Sequence, residues 1–284
     1  MFTPKNEPNN MKELTKSVEI STDPLQDMTQ SPSLDSLQNM LDQICSRIAE
    51  QFNLYNQNGK IRKGTIIEAI AGSTCITCAN QRLSNQKATN KVDALYKECH
   101  TLAVSILVEE LYRLLNTRGY KVMISAEAEL EYGKADILIT VTNYGLNLKG
   151  KTKELLIEVK TGNSVSLTQI FRYLLDSRSD TIIVWRIRKR QVLVFDAQKI
   201  KPLLTEFIRM ICLRADRLLS SQQTQSCHHA KESNYQASQD ELERMFEEFS
   251  SALIETLPTI LQTTLEQLEI VISSEQGENC ERKE

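Results

Sequence analysis

Between Gly133 and Tyr173 the chain reads GKADILITVTNYGLNLKGKTKELLIEVKTGNSVSLTQIFRY, and this stretch narrows the choice of fold more than any other. Two apolar runs, Ala135 to Val141 and Glu154 to Val159, are short, rich in branched aliphatics and bounded by polar turn residues, so they read as strands. With a side-chain period of two, Leu155, Ile157 and Val159 share one face of the second strand, while Glu158 and Lys160 share the other. Pairing of the strands through the intervening hairpin brings Asp136 beside Glu158. Two carboxylates and one ammonium then meet on the face opposite the apolar trio.

Such a cluster has few stable states. Adjacent, partly buried carboxylates must be protonated, salt-bridged or bound to a cation. Hard oxygen donors suit Mg²⁺ or Mn²⁺, whose remaining coordination positions go to water and phosphate. A neighbouring lysine can hold an attacking water or offset charge that develops on phosphorus. An isolated E-x-K is ordinarily a solvated salt bridge, so the pattern acquires meaning only from what surrounds it.

Here the order D-x21-E-x-K is followed by Thr161-Gly162 and then by Gln169-x-x-x-Tyr173 on a predicted helix. This arrangement resembles the PD-(D/E)XK nuclease superfamily and, within it, the RecB-like exonucleases, over about Leu95 to Asp196. The proline of the family's name is absent, since Lys134 and Ala135 precede Asp136. The resemblance implies an α/β fold with a restriction-endonuclease-like core, a mixed central sheet flanked by helices, to which this chain adds N- and C-terminal helices. It also implies a metal-dependent nuclease that hydrolyses phosphodiester bonds, in DNA rather than RNA. In that scheme Asp136, Glu158 and the Val159 carbonyl hold Mg²⁺ or Mn²⁺, and Lys160 positions water. Gln169 orients Lys160 or the substrate phosphate, and Tyr173 packs behind it. The alternative is a catalytically inactive member that serves as a nucleic-acid or protein-binding platform.

Superfamily members often take one more acidic ligand from the helix before the core strands. Stepping a predicted helix from Val92 to Asn116 at ~100° per residue puts Leu95, Cys99, Leu102, Ala103, Ile106, Leu107 and Leu114 on one arc. Glu110 falls near its middle, where a carboxylate is expensive to bury, so Glu110 is the expected helix ligand. RecB-like enzymes often use a histidine on this helix, a pattern that would select His100. The two residues lie ~15 Å apart along the axis and cannot share one ion.

Around this centre, residues 1–33 read as a disordered tail, 34–90 as a helical N-terminal extension and 91–220 as the nuclease-like domain. A linker is expected over 221–238, an acidic helical hairpin broken at Pro258 over 239–273, and a tail over 274–284. The terminal helices offer apolar stripes for the core, for a homodimer or for a helical protein partner. Seven cysteines without regular spacing fit reduced thiols, and with no apolar leader or long apolar run the chain is expected in the cytoplasm, or the nucleus of a eukaryote, away from membranes. Cys75, Cys78, Cys99 and His100 form an alternative zinc set of low specificity. Cys212, Cys227 and Cys280 are too scattered to support the iron–sulfur cluster that some RecB-like exonucleases carry.

Charge is divided along the chain. The net charge is −3, yet residues 133–190 hold eleven Lys and Arg against five Asp and Glu, whereas residues 240–284 hold three against twelve. A polyanion is therefore compatible with the centre. Lys149, Lys151, Lys153, Arg172, Arg188, Lys189 and Arg190 are the expected contacts to nucleic-acid phosphates.

Overall fold

Five strands make one sheet in the order β1-β2-β3-β4-β5, with β1 at Val122–Leu130, β2 at Gly133–Val141, β3 at Lys153–Lys160, β4 at Ser179–Arg186 and β5 at Gln191–Asp196. Pairing is antiparallel except between β3 and β4, which run parallel. A parallel neighbour needs a crossover, and the helix Leu167–Leu175 lies in that connection. The computed structural model describes residues 33–51, 55–56, 59–60, 62–73, 78–79, 83, 91–141, 153–162, 165–176, 179–220 and 237–278. The tail over 1–32, Cys75, Lys149, Lys151, the side chain of Lys153, most of the linker and residues 279–284 lie outside them.

The strand alternation sorts the core into two layers. Ile137, Ile139, Val141, Leu155, Ile157, Val159, Ile183 and Trp185 face one way, onto α3 (Lys91–Thr117) and α7 (Gln239–Glu278). Leu156, Ile182 and Val184 face the other, onto α1 (Leu34–Gln51), α2 (Lys63–Gly72), the crossover helix α4 and α6 (Leu204–Ser220), which follows the short α5 (Ala197–Ile200). The expected α/β class, a mixed sheet flanked by helices, is therefore present. The apolar stripe of α1, with Leu37, Leu41, Ile44 and Ile48, is covered inside this shared core. No helix among the described residues is long and apolar enough to cross a membrane.

The hairpin expected across Pro258 is instead one continuous helix, α7, with Pro258 inside it. Buried Phe249, Ala252 and Leu253 before the proline, and Ile260, Leu265 and Leu268 after it, all enter the same cluster, so both halves are held in line by one surface. Pro258 lies on the solvent side, where water can satisfy the carbonyl of Ile254 that loses its helical donor. The indole N–H of Trp185 donates to Thr256 Oγ1 at 2.9 Å and pins the helix to β4.

On the opposite layer the β1–β2 turn is locked to α1, α2 and α4 by polar contacts. Lys63 bridges Asp42 at 2.6 Å and Glu131 at 2.7 Å, and the Tyr132 hydroxyl donates to Asp42 at 3.0 Å. The backbone of α2 comes so close that a Cβ on Gly64 would stand 2.0 Å from the Tyr132 carbonyl oxygen and 2.4 Å from Arg172 Nη1. A carbonyl oxygen cannot swing aside as a side-chain tip can. Gly64→Ala should therefore lower the unfolding free energy by about 2–4 kcal/mol, read from urea denaturation, whereas exposed Thr65→Ala should change it by less than about 0.5 kcal/mol.

Candidate active site

The β2–β3 ladder runs from Val141↔Lys153 to Ile137↔Ile157 and stops there. Asp136 and Glu158, next in register, do not pair. Instead the Val159 N–H donates to Asp136 Oδ2 at 2.7 Å, so a carboxylate occupies the gap where the strands part. Strand β3 keeps its other neighbour through this region, pairing with β4 as far as Lys160↔Arg186. The gap thus opens beside a strand that is held firmly on its far edge.

Glu158 points away from the apolar trio, as alternation requires, and its side chain is 4% exposed. Three donors converge on it. Lys160 Nζ lies 2.5 Å and Gln169 Nε2 2.6 Å from Oε1, and the Tyr173 hydroxyl donates to Oε2 at 2.5 Å. Lys160 also donates to Gln169 Oε1 at 2.8 Å, and the Tyr173 oxygen lies 3.0 Å from the Lys134 carbonyl. Gln169 and Tyr173 present this pair of polar groups because they stand four residues apart on α4, one above the other. Burial, and after it the charge of Asp136, pushes the Glu158 carboxyl above its usual range, against the pull of Lys160 and the Tyr173 hydrogen bond. Burial also raises the Tyr173 phenol far out of reach of ordinary pH, so it serves as a donor and packing group.

The second partner of Asp136 is His100, whose Nε2 lies 3.1 Å from Oδ1. This corrects the expectation for α3. Glu110 is turned to Arg113 at 3.0 Å, an ordinary ion pair within the helix, and His100 takes the place beside the core acids. The buried residues of α3 are Cys99, Ala103, Val104, Leu107, Leu111 and Leu115, while Leu102 is 41% exposed. The centre of that stripe is rotated about 80° from the arc drawn through the larger aliphatics, which brings His100 to its middle. The signal was present in the sequence as Cys99, Ala103, Leu107, Leu111 and Leu115, one row at four-residue spacing, but an arc that takes in Leu95, Leu102, Ile106 and Leu114 leaves Leu111 and Leu115 outside it.

One other expectation changes. Arg172 is 8% exposed and is held by Glu68 at 2.5 Å and by the Tyr132 carbonyl at 3.2 Å, so it anchors α4 to α2 and is not an open phosphate contact. Arg188 and Arg190 are engaged by α7, through Glu248 at 3.9 Å and Glu255 at 2.6 Å, while Lys189 is exposed. The acids Glu127 and Glu129 on β1 and Glu131 in the turn after it are paired with Lys134, Arg62 and Lys63. Of the alternative zinc set, Cys75 lies outside the described residues, Cys99 is buried, and His100 Nε2 lies against Asp136.

Among the described residues no three His, Cys, Asp or Glu side chains are gathered as a metal cage. The donor chemistry nonetheless fits a hard divalent cation: two carboxylates, one of them buried against its preference for charge, an imidazole one bond away, and a strand carbonyl at Val159. Compared with family models, with curated proteins and with solved structures, the chain matches none.

The hydrogen bond to Asp136 is the largest influence on His100 and raises its pKa above the ordinary 6.5, against burial, which lowers it. An imidazole with a raised folded-state pKa lends stability that is complete below 6.5 and is lost as pH climbs through the raised value. In the metal-free protein, NMR titration should place His100 above 6.5, and Asp136→Asn should bring it down to or below that value. His100→Gln should remove this part of the pH dependence of unfolding. A His100 that titrates below 6.5 in the parent protein would contradict the pair.

Proposed function

We propose that the protein is a metal-dependent nuclease that hydrolyses phosphodiester bonds in DNA, built on a restriction-endonuclease-like core of the PD-(D/E)XK type. The observation that carries this reading is the convergence of Asp136, Glu158, Lys160, Gln169 and Tyr173 at the parting of β2 and β3. Acceptance from the Val159 N–H accounts for one carboxylate but not for a second acid and an amine beside it, whose burial costs free energy that apolar residues would not.

In this reading Asp136, Glu158 and the Val159 carbonyl, with His100 in the place expected of Glu110, would hold Mg²⁺ or Mn²⁺. When bound, the cation supplies Lewis-acid charge at the phosphoryl oxygens. The chain's own groups do the rest. Lys160 is fixed between Glu158 and Gln169, so its ammonium meets developing negative charge without having to reorganise. Water adds to phosphorus, one P–O bond breaks, and the leaving oxygen takes a proton. Gln169 keeps Lys160 and Glu158 in register, and Tyr173 closes the site from behind.

A second reading, a non-catalytic nucleic-acid or protein-binding platform, draws on the same contacts, since both oxygens of Asp136 and both of Glu158 already have protein partners. Assay of the parent with single-stranded, duplex and branched DNA in Mg²⁺ or Mn²⁺ separates the two; cleavage of none of them favours the platform.

The isosteric changes Asp136→Asn and Glu158→Gln should reduce cleavage to background while circular dichroism and oligonucleotide affinity stay close to the parent's. Lys160→Met should lower turnover by about 10²-fold or more with little effect on binding. His100→Ala should raise the Mg²⁺ concentration needed for half-maximal cleavage, and Glu110→Gln should leave it unchanged. Variants at Asp136 and Glu158 that cut as the parent does would end the catalytic reading.

A further inference from the structure

Beside the cluster lies a second set of charged groups to which the catalytic scheme assigns no task. Strand β4 ends one residue beyond Trp185 at Arg186, the register neighbour of Lys160, and a 3₁₀ turn, Ile187–Lys189, follows directly. The Arg188 guanidinium on this turn lies 5.7 Å from the centroid of the Tyr96 ring and donates to the Tyr96 hydroxyl. Tyr96 stands one helical turn before His100 on α3, so this guanidinium and its aromatic support flank the site from two elements. Arg190 closes the turn in a left-handed conformation, φ 49, and is exposed. Both guanidinium groups meet carboxylates of α7, Arg188 with Glu248 at 3.9 Å and Arg190 with Glu255 at 2.6 Å.

These ion pairs are not what holds α7 in place. Phe249, Leu253 and Thr256 are buried between and around them, whereas the side chains of Arg190, Glu248 and Glu255 are 47%, 58% and 59% exposed and that of Arg188, in the longer pair, is 28% exposed. Exposed pairs of this kind contribute little stability and are readily exchanged for another anion. Glu248 and Glu255 are seven residues apart, about 10 Å along the helix axis, so α7 lays two anionic groups along the basic turn. An arginine held beside a tyrosine in this way can bond a phosphate with its remaining N–H groups while the aromatic ring offers an unstacked base a surface.

From this we infer that Tyr96, Arg188 and Arg190 form a binding site for the backbone of single-stranded nucleic acid, and that Glu248 and Glu255 occupy it in the free protein. The site deepens the proposed function, on which it rests for the identity of its ligand. Entry of a strand exchanges carboxylate for phosphate at the two arginines, while the apolar contacts of α7 stay intact. The acidic helix thereby sets a threshold for binding that falls as the carboxylates are neutralised.

The test is fluorescence anisotropy of a labelled oligodeoxythymidine of about 20 nucleotides, long enough to span a single-strand site, with EDTA present so that cleavage is not scored. Glu248→Gln/Glu255→Gln should bind about 5- to 10-fold tighter than the parent at low salt, the gain shrinking as salt rises. Arg188→Gln/Arg190→Gln should bind about 10-fold more weakly, with the slope of log affinity against log salt reduced by about 2. Tyr96→Leu should weaken binding several-fold without changing that slope. Thermal unfolding reports the fold of each variant, and Arg190→Gln with Glu255→Gln, both at exposed positions, give the same comparison should a change at Arg188 unfold the chain. Neutralised carboxylates without tighter binding, neutralised arginines without weaker binding, or equal responses for a duplex of the same length would overturn the inference. Oligonucleotide binding with these responses but no cleavage in Mg²⁺ would leave the binding site standing and remove the nuclease reading; cleavage without these responses would do the reverse.

Discussion

Where β2 and β3 part, the backbone N–H of Val159 needs an acceptor that the sheet no longer provides, and the Asp136 carboxylate fills that role at 2.7 Å. A buried N–H left without a partner would cost about 1–3 kcal/mol, so the carboxylate stabilises the very gap in which it sits. Because Asp136 lies between strands, it is reachable from the helix layers on both faces, and His100 on α3 meets it although Glu158 and α4 belong to the other side. The pairing of β3 with β4 past the gap keeps Glu158 and Lys160 on a rigid backbone. Without that parallel neighbour, the end of β3 would be free on both edges.

The layer behind the cluster exists to hold α4 in position. Gln169 and Tyr173 reach Glu158 only if the helix neither slides nor rolls, and three contacts prevent this. Arg172 ties it to Glu68 on α2 and to the Tyr132 carbonyl. Phe171 stacks on Phe207 of α6 with ring centroids 4.6 Å apart. Gly64 in turn lets α2 approach the Tyr132 backbone closely enough for Arg172 to span the two. A polar site thus depends on a glycine in another helix, through a chain of contacts in which no member touches Asp136 or Glu158 except the last.

On the other face the acidic helix α7 does two things at once. Its buried stripe completes the core over Ile183 and Trp185, and its exposed carboxylates neutralise the basic turn after β4. Apolar burial and surface charge are separable in energy, because the first is large and insensitive to salt while the second is small and screened. That separation allows the charges to change partners while the helix remains packed, and it also explains how Pro258 is tolerated on the solvent side of a helix held from below.

The amino-acid sequence by itself determined the strands, their facing and the pair Gln169 and Tyr173. A strand alternates every two residues regardless of its neighbours, so Glu158 and Lys160 had to oppose Leu155, Ile157 and Val159, and residues four apart on a helix had to align. The phase of α3 was not settled this way, since seven or more apolar positions on a long helix admit several arcs, and only packing on the sheet chose the one that includes Leu111 and Leu115 and puts His100 at Asp136. The partners of the arginines were equally out of reach. Arg172 meets Glu68 across 104 residues and Arg190 meets Glu255 across 65, so whether each guanidinium was buried, paired or open depended on elements far away along the chain. Pro258 marked a break by local rule, and the continuous surface beneath α7 overrode it. Period and spacing are local properties of the backbone, whereas burial and charge pairing belong to contacts between distant segments, and those the tertiary structure alone decided.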